Sequence, residues 1–354
     1  MAITVLVVDD SALIRQVLGE MIRTAPGFQL VGTANDAYAA RDLVNEFAPD
    51  VITLDIEMPR MDGLSFLARL MKARPTPVVM VSTLTESGAD ATLKALELGA
   101  VDFVTKPKLD IKRNLEQYRQ ELLEKLRAAA IAGEAVRRSA RKPPVPGKPL
   151  TTHLSVQGTE HLVAIGASTG GTEAIKSVLA ALPVGMPGIV MTQHMPPGFT
   201  RSFAERLDRL CRIRVLEAQG GERILPGHAY LAPGDRHLLV DRSGADLVCK
   251  LSDAPPVNRH RPAVDAMFDS VARVCSATAT GVLLTGMGKD GAQGLLTMHQ
   301  RGARTLAQDE RSCVVYGMPR EAVRLEAVDE VLPLPAIPAA LVEHIKRVSR
   351  GNRV

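Results

Sequence analysis

The chain has 354 residues, 46% hydrophobic and 23% charged, which excludes a disordered chain and, at roughly 100–200 residues per domain, suggests two domains and a connector. A formal net charge of +4 from 43 basic and 39 acidic side chains, with 3% aromatics and no tryptophan, disfavours a nucleic-acid binder or a stacking platform for bases or sugars. The cysteines Cys211, Cys249, Cys275 and Cys313 form no C-x-x-C pair, so neither a zinc knuckle nor a disulfide framework is indicated and a reducing compartment fits.

The opening MAITVLVVDD reads directly as a strand, without the basic flank of a signal peptide, and no apolar run nears the ~18 residues of a membrane span. A cytoplasmic protein without membrane insertion is expected. Apolar strands then alternate with amphipathic helices: ITVLVV, helix 12–23, FQLVG, helix 38–47, VITL, helix 64–72, PVVMVS, helix 89–98 and VDFVT. Near-continuous apolar strands between helices predict a parallel sheet covered on both faces, here a domain over residues 1–110. The pattern next predicts a helix from about 111 to 138, with Leu115, Tyr118, Leu122 and Leu126 on one face. RKPPVPGKPL then breaks it with four prolines, as an extended spacer would, so residues 111–158 read as helix and linker. Residues 1–108 carry a charge of −4, residues 109–158 of +5 and residues 159–354 of +3; the basic middle reads as a solvated tether.

Strand–helix alternation resumes with HLVAIG, helix 172–181, GIVMTQH, helix 200–210 and RIRVLEA. A β-rich patch of HAYLAP, HLLVD and DLVCKL follows, then helix 264–274, GVLLT, helix 291–300 and RTLAQ. Residues 159–354 are therefore expected to form a second doubly wound α/β domain, with a β-hairpin insertion.

Ligands of open parallel sheets collect at the carboxyl ends of the strands. In the first domain that edge should gather Asp9, Asp10, Asp55, Ser82 and Lys106. Carboxylates converging there repel one another unless a cation sits among them, and a magnesium ion suits an all-oxygen set. The Asp55 carboxylate could then attack phosphorus while Ser82 meets a phosphoryl oxygen. Taken singly, each acid also reads as a helix cap, as Asp10 before Ser11 and Asp62 before Leu64 do. The segments VLVVDDSALIR, LDIEMPRMDGLSFL, VMVS and TKP together resemble the receiver domain of two-component response regulators, a flavodoxin-like fold. That resemblance implies phosphorylation of Asp55 by a histidine kinase. It also implies magnesium held by Asp10, Asp55 and the backbone carbonyl of Glu57 with Asp9 in support, and Ser82 and Lys106 reading the phosphoryl group.

In the second domain, GASTG of AIGASTGG fits G-x-S-x-G on a strand-to-helix turn, making Ser168 a candidate nucleophile; a phosphate-cradling turn suits the same residues. His194, ending GIVMTQH, could serve as its base. GMGKDG in VLLTGMGKDGAQG matches G-x-G-x-x-G with Asp309 beyond it, as a dinucleotide site would. However, Asp290 within that turn would repel a pyrophosphate. As a third member of a triad at a strand end, Asp290 would instead orient His194. The basic cluster Asn258–Arg261 could meet acidic helices or be a solvated loop.

GASTGG, QHMPPGFTRSFAERL, LAPGDRHLLV, NRHRPAVDAMFDSVA, LLTGMGKDGAQGL and QDERSCVVYGMPREAV resemble the chemotaxis protein-glutamate methylesterase family over nearly the whole chain. The resemblance implies Ser168 as nucleophile, His194 as base, Asp290 as its orienter and the Met287 amide as oxyanion donor, with no cofactor for the esterase. Methyl-esterified glutamates of chemoreceptors would be the substrates, with deamidation of receptor glutamines as a second activity. The receiver would cover the crevice until Asp55 is phosphorylated. A receiver-controlled nucleotide-dependent oxidoreductase and a noncatalytic output module are the alternatives.

Overall fold

The computed structural model describes residues 2–83, 85–106, 112–141 and 161–351, and the chain divides into two compact units, Met1–Pro144 and Val145–Val354. The proline-rich stretch and Pro107 lie outside the described residues.

In the first unit, β1 (Ile3–Val8), α1 (Ala12–Arg23), β2 (Phe28–Ala34), α2 (Ala37–Phe47), β3 (Val51–Asp55), α3 (Gly63–Ala73), β4 (Val78–Ser82), α4 (Glu86–Glu97) and β5 (Asp102–Thr105) alternate strictly. The parallel sheet has the order β2-β1-β3-β4-β5, the flavodoxin-like arrangement in which the strand order reverses at β1/β3. Every residue of β3 and β4 is buried, as helices on both faces require. Ser11, Asp36 and Asp62 cap α1, α2 and α3. The Asp62 carboxylate accepts the Ser65 amide at 2.8 Å, so the cap reading holds for that acid. Where one helix was expected after the sheet there are two, α5 (Lys112–Ile131) and α6 (Gly133–Arg141). The break falls beside Gly133, a residue that weakens helix continuity. Leu122 and Leu126 of α5 are fully buried.

The second unit comprises β6 (Leu162–Ala167), α7 (Gly171–Ala181), β7 (Gly188–Gln193), α8 (Phe199–Leu210), β8 (Arg214–Glu217), β9 (His228–Leu231), β10 (His237–Ser243), β11 (Asp246–Ser252), α9 (Val264–Cys275), β12 (Ala279–Leu283), α10 (Ala292–Gln300), β13 (Arg304–Gln308), α11 (Met318–Arg324), β14 (Glu330–Leu332) and α12 (Ile337–Gly351). Seven parallel strands run in the order β14-β13-β12-β6-β7-β9-β8. The HAYL segment departs from expectation. It does not join the β-rich patch but enters the main sheet as β9, because Ala229, Tyr230 and Leu231 are all buried there. Only β10 and β11 form the antiparallel hairpin. Behind the sheet, Val264, Phe268 and Val271 of α9 pack with Leu283, Leu295 and Met298 in one core. The strand order reverses at β6/β12, and ligands of a doubly wound fold bind in the crevice at such a reversal.

Candidate active site and phosphoacceptor site

In the first unit, Asp9 and Asp10 directly follow β1 and Asp55 ends β3, so both sides of the strand reversal deliver carboxylates to one spot. One oxygen from each of Asp9, Asp10 and Asp55 lies within 4.8 Å of the others. Lys106 Nζ donates to Asp55 Oδ2 at 2.8 Å and stands 3.4 Å from Asp9 Oδ2. Burial pushes the Asp55 carboxyl up to about 6, with Asp9 adding to the rise and Lys106 opposing it; burial likewise raises Asp9. Burial works against the charge on Lys106, but the two carboxylates outweigh it and hold the ammonium above its ordinary range. The cluster is short of positive charge, and the buried Asp9 Oδ2 accepts no hydrogen bond. This set of hard oxygens, one of them unsatisfied, fits a divalent cation.

Asp55, Glu57, Ser82, Thr83, Ser87 and Gly88 line a cavity of about 240 Å³ beside this cluster. The Ser82 hydroxyl is turned towards α4, accepting from Thr92 Oγ1 at 2.7 Å and donating to Gly88 O at 3.2 Å. The Glu57 side chain is exposed, while its amide hydrogen-bonds the Asp55 carboxylate.

In the second unit, Ser168 directly follows β6 and His194 directly follows β7. Parallel neighbours in register, with Ala167 opposite Gln193, bring the two side chains together. His194 Nδ1 lies 3.1 Å from Ser168 Oγ and His194 Nε2 lies 2.8 Å from Asp290 Oδ2. The ionised Asp290 can only accept, so Nε2 carries the proton and Nδ1 is free to accept one from Ser168. The two ring nitrogens are exchanged relative to the serine-protease template, in which Nε2 faces the serine.

Asp290 is not at a strand end as expected. It stands seven residues beyond Leu283, in the turn before α10, because the irregular stretch 284–289 intervenes before the helix starts. Burial works to raise the Asp290 pKa, but the hydrogen bond and charge of His194, with hydrogen bonds from Asn258 and the Val264 amide, hold it below the ordinary carboxylate range. Its neighbour Asp265 is raised to about 6 by burial and by the charge of Asp290.

Gly286 makes the close approach possible. A Cβ there would lie 2.2 Å from Met318 Sδ and 2.7 Å from Ser168 Cβ. Gly286 N donates to Val315 O at 3.1 Å, and Gly286 O accepts from Gly317 and Met318. The Met287 amide, next in the chain, donates no hydrogen bond among the described residues, leaving a donor beside the serine. The Ser168 amide is already committed to Thr285 O at 3.0 Å. With the space at Gly286 filled by Met318 and Ser168, the turn offers no cradle for a dinucleotide, and the oxidoreductase alternative is not favoured.

Three contributors escaped the sequence reading. Asn258 Nδ2 donates to Asp290 Oδ1 at 2.9 Å and to Asp265 Oδ2 at 2.6 Å, and the His260 ring stacks on His194. Asn258 and His260 belong to the NRHR cluster, which the sequence presents only as basic charge. Asp265 is a first-turn acid of α9, a position that reads as favourable helix electrostatics in any sequence.

A flavodoxin-like unit with an acidic pocket, joined to a doubly wound unit whose serine, histidine and aspartate are linked at the strand reversal, defines a class: a receiver coupled to a hydrolase. The comparisons give the family. The CheB methylesterase family matches residues 163–341 and the response regulator receiver domain matches residues 5–116. The chain is 59% identical over 354 residues, all of both chains, to "Protein-glutamate methylesterase/protein-glutamine glutaminase 2" of Pseudomonas aeruginosa. It is also 59% identical over 339 residues, 94% of this chain and 93% of the other, to the protein-glutamate methylesterase/protein-glutamine glutaminase of Nitrosomonas europaea. The crystal structure of the Thermotoga maritima CheB methylesterase catalytic domain, 41% identical, matches 53% of this chain and 99% of its own with a TM-score of 0.51. The chain belongs to the CheB methylesterase family and carries a response regulator receiver domain.

Proposed function

We propose that the protein is a phosphorylation-activated serine hydrolase that removes methyl groups from glutamate methyl esters of chemoreceptors, and deamidates receptor glutamines, in chemotactic adaptation. The observation that carries this reading is the hydrogen-bonded chain Ser168–His194–Asp290, 3.1 and 2.8 Å long in its two links. His194 Nδ1 takes the proton as Ser168 Oγ attacks the ester carbonyl, and Asp290 stabilises the imidazolium that forms. The Met287 amide receives the developing oxyanion. Collapse of the tetrahedral intermediate breaks the bond to methoxide, which leaves as methanol with the proton from His194. Water, activated by the same imidazole, then hydrolyses the acyl-serine to glutamate and free serine. A primary carboxamide follows the same path, with ammonia as the leaving group.

In the receiver, Asp55 attacks the phosphoryl group of a histidine kinase's phosphohistidine, forming an O–P bond as the N–P bond breaks. Asp9, Asp10, Asp55 and the Glu57 carbonyl would hold magnesium, which when bound offsets the carboxylate charge and polarises the phosphoryl oxygens. Lys106 pairs with the phosphoryl charge, and Ser82 turns from Thr92 to donate to it. We place the domain limits at 1–110, 111–158 and 159–354. Among the described residues no helix is long and apolar enough to cross a membrane, and the reading places the protein in the cytoplasm, where the kinase and the receptor tails are met. Methanol release from methylated receptor membranes tests the chemistry. Ser168→Ala should lower it by ~10⁴-fold or more; turnover kept by that variant would contradict the assignment.

A further inference from the structure

We propose that Asn258 is a positioning residue for this hydrolysis: its carboxamide holds the Asp290 carboxylate on His194 and is itself anchored by Asp265. The inference rests on the serine-hydrolase reading above and adds a residue to it.

Asp290 has four partners. Its Oδ2 accepts from His194 and, at 2.6 Å, from the Val264 amide. Its Oδ1 accepts from the Asp265 amide at 3.2 Å and from Asn258 Nδ2. Two of these donors are backbone groups in the first turn of α9 and one is the base itself, so Asn258 is the one side-chain donor of the four other than the base. The same Nδ2 gives its second hydrogen to Asp265 Oδ2, while Asp265 Oδ1 accepts the Gly294 amide of α10 at 2.7 Å. One uncharged group thus separates two buried carboxylates, 1% and 7% exposed, and ties the loop, α9 and α10 to the triad.

The choice of an amide has a chemical consequence. A lysine or arginine at this place would pair with Asp290 and compete with the imidazolium for its charge. A neutral donor satisfies the lone pair and leaves the negative charge for His194 at the moment it becomes cationic. The backbone is built for the purpose: Asn258 has φ +49° and Arg259 φ +71°, a left-handed turn that asparagine tolerates better than most residues. The titratable groups facing the pair are His194 and its stacked neighbour His260, with Asp265 and Asp269 from α9, the last itself faced by Arg273 and Arg301.

Asn258→Gly removes the carboxamide without straining a left-handed backbone. In the full-length protein, assayed by methanol release from methylated receptor membranes, it should lower kcat about ten- to a hundredfold at unchanged KM. The acidic limb of its pH profile should move to higher pH, because the two carboxylates, no longer bridged, bind a shared proton more tightly. Adding Asp265→Asn to that chain should move the limb back, and Asp265→Asn alone should move it below wild type; this single variant keeps the idea falsifiable if the glycine variant does not fold. Wild-type kcat and profile in Asn258→Gly, or no displacement by Asp265→Asn, overturns the inference while a dead Ser168→Ala leaves the triad standing. Turnover kept by Ser168→Ala overturns both.

Discussion

The imidazole of His260 lies flat on that of His194, with ring centroids 3.7 Å apart and planes 13° from parallel. The contact covers one face of the His194 ring, whose side chain is only 9% exposed, and supports the orientation in which the ring reaches both Ser168 and Asp290. Removing the stacked ring should cost kcat about two- to tenfold, the kinetic size of one aromatic pair. His260→Ala should show that loss in methanol release and His260→Phe should recover most of it. Equal activities in the two variants would remove the stacking argument.

Gly286 packs against Ser168 and directly precedes the Met287 amide. Because a Cβ at this position would meet Met318 Sδ at 2.2 Å and Ser168 Cβ at 2.7 Å, Gly286→Ala must displace the serine, the methionine or the turn. Overpacking of this kind costs about 1–3 kcal/mol, and a serine moved by an ångström loses about a hundredfold in rate. Calorimetry and turnover should therefore both fall, turnover the more steeply.

Asp55 makes the receiver's stability pH-dependent. Its carboxyl titrates at about 6 when folded, against an ordinary value of 3.8. Between about pH 4 and pH 6 the folded unit therefore holds a proton that the unfolded chain has released, and stability falls as pH rises through that window. Asp55→Asn should stabilise the receiver at pH 7, by up to about 3 kcal/mol, and have little effect at pH 3. Magnesium should stabilise the wild type at pH 7 and the asparagine variant far less. Amide hydrogen exchange in β3 and β4 reads both effects, which suits a chain without tryptophan.

Much of this was legible in the sequence because strand-terminal residues are legible. A strand such as VITL or GIVMTQ announces its end, and Asp55, Ser168, His194 and Lys106 stand at or directly after those ends. Asp290 was readable as a partner of His194 but not in its place, since nothing in GMGKDG tells how far the chain runs before α10 begins. The short HAYL could not be assigned to the main sheet, as four residues, three of them buried, suit a hairpin or a central strand equally. Asn258 was hidden differently: its role depends on a left-handed backbone and on two acids 7 and 32 residues away, neither of which leaves a periodic signal. The short β14 and α11 gave too few residues for any pattern to register.

The central claim is that a phosphoryl group on Asp55 raises hydrolysis at Ser168. Methanol release from methylated receptor membranes, measured with and without a small phosphodonor in the presence of magnesium, tests it most directly. Wild type should accelerate by roughly 5–150-fold, the span of an ordinary allosteric coupling, while Asp55→Asn should keep the basal rate and ignore the phosphodonor. A wild-type rate indifferent to the phosphodonor, or an Asp55→Asn protein that responds to it, would contradict the account.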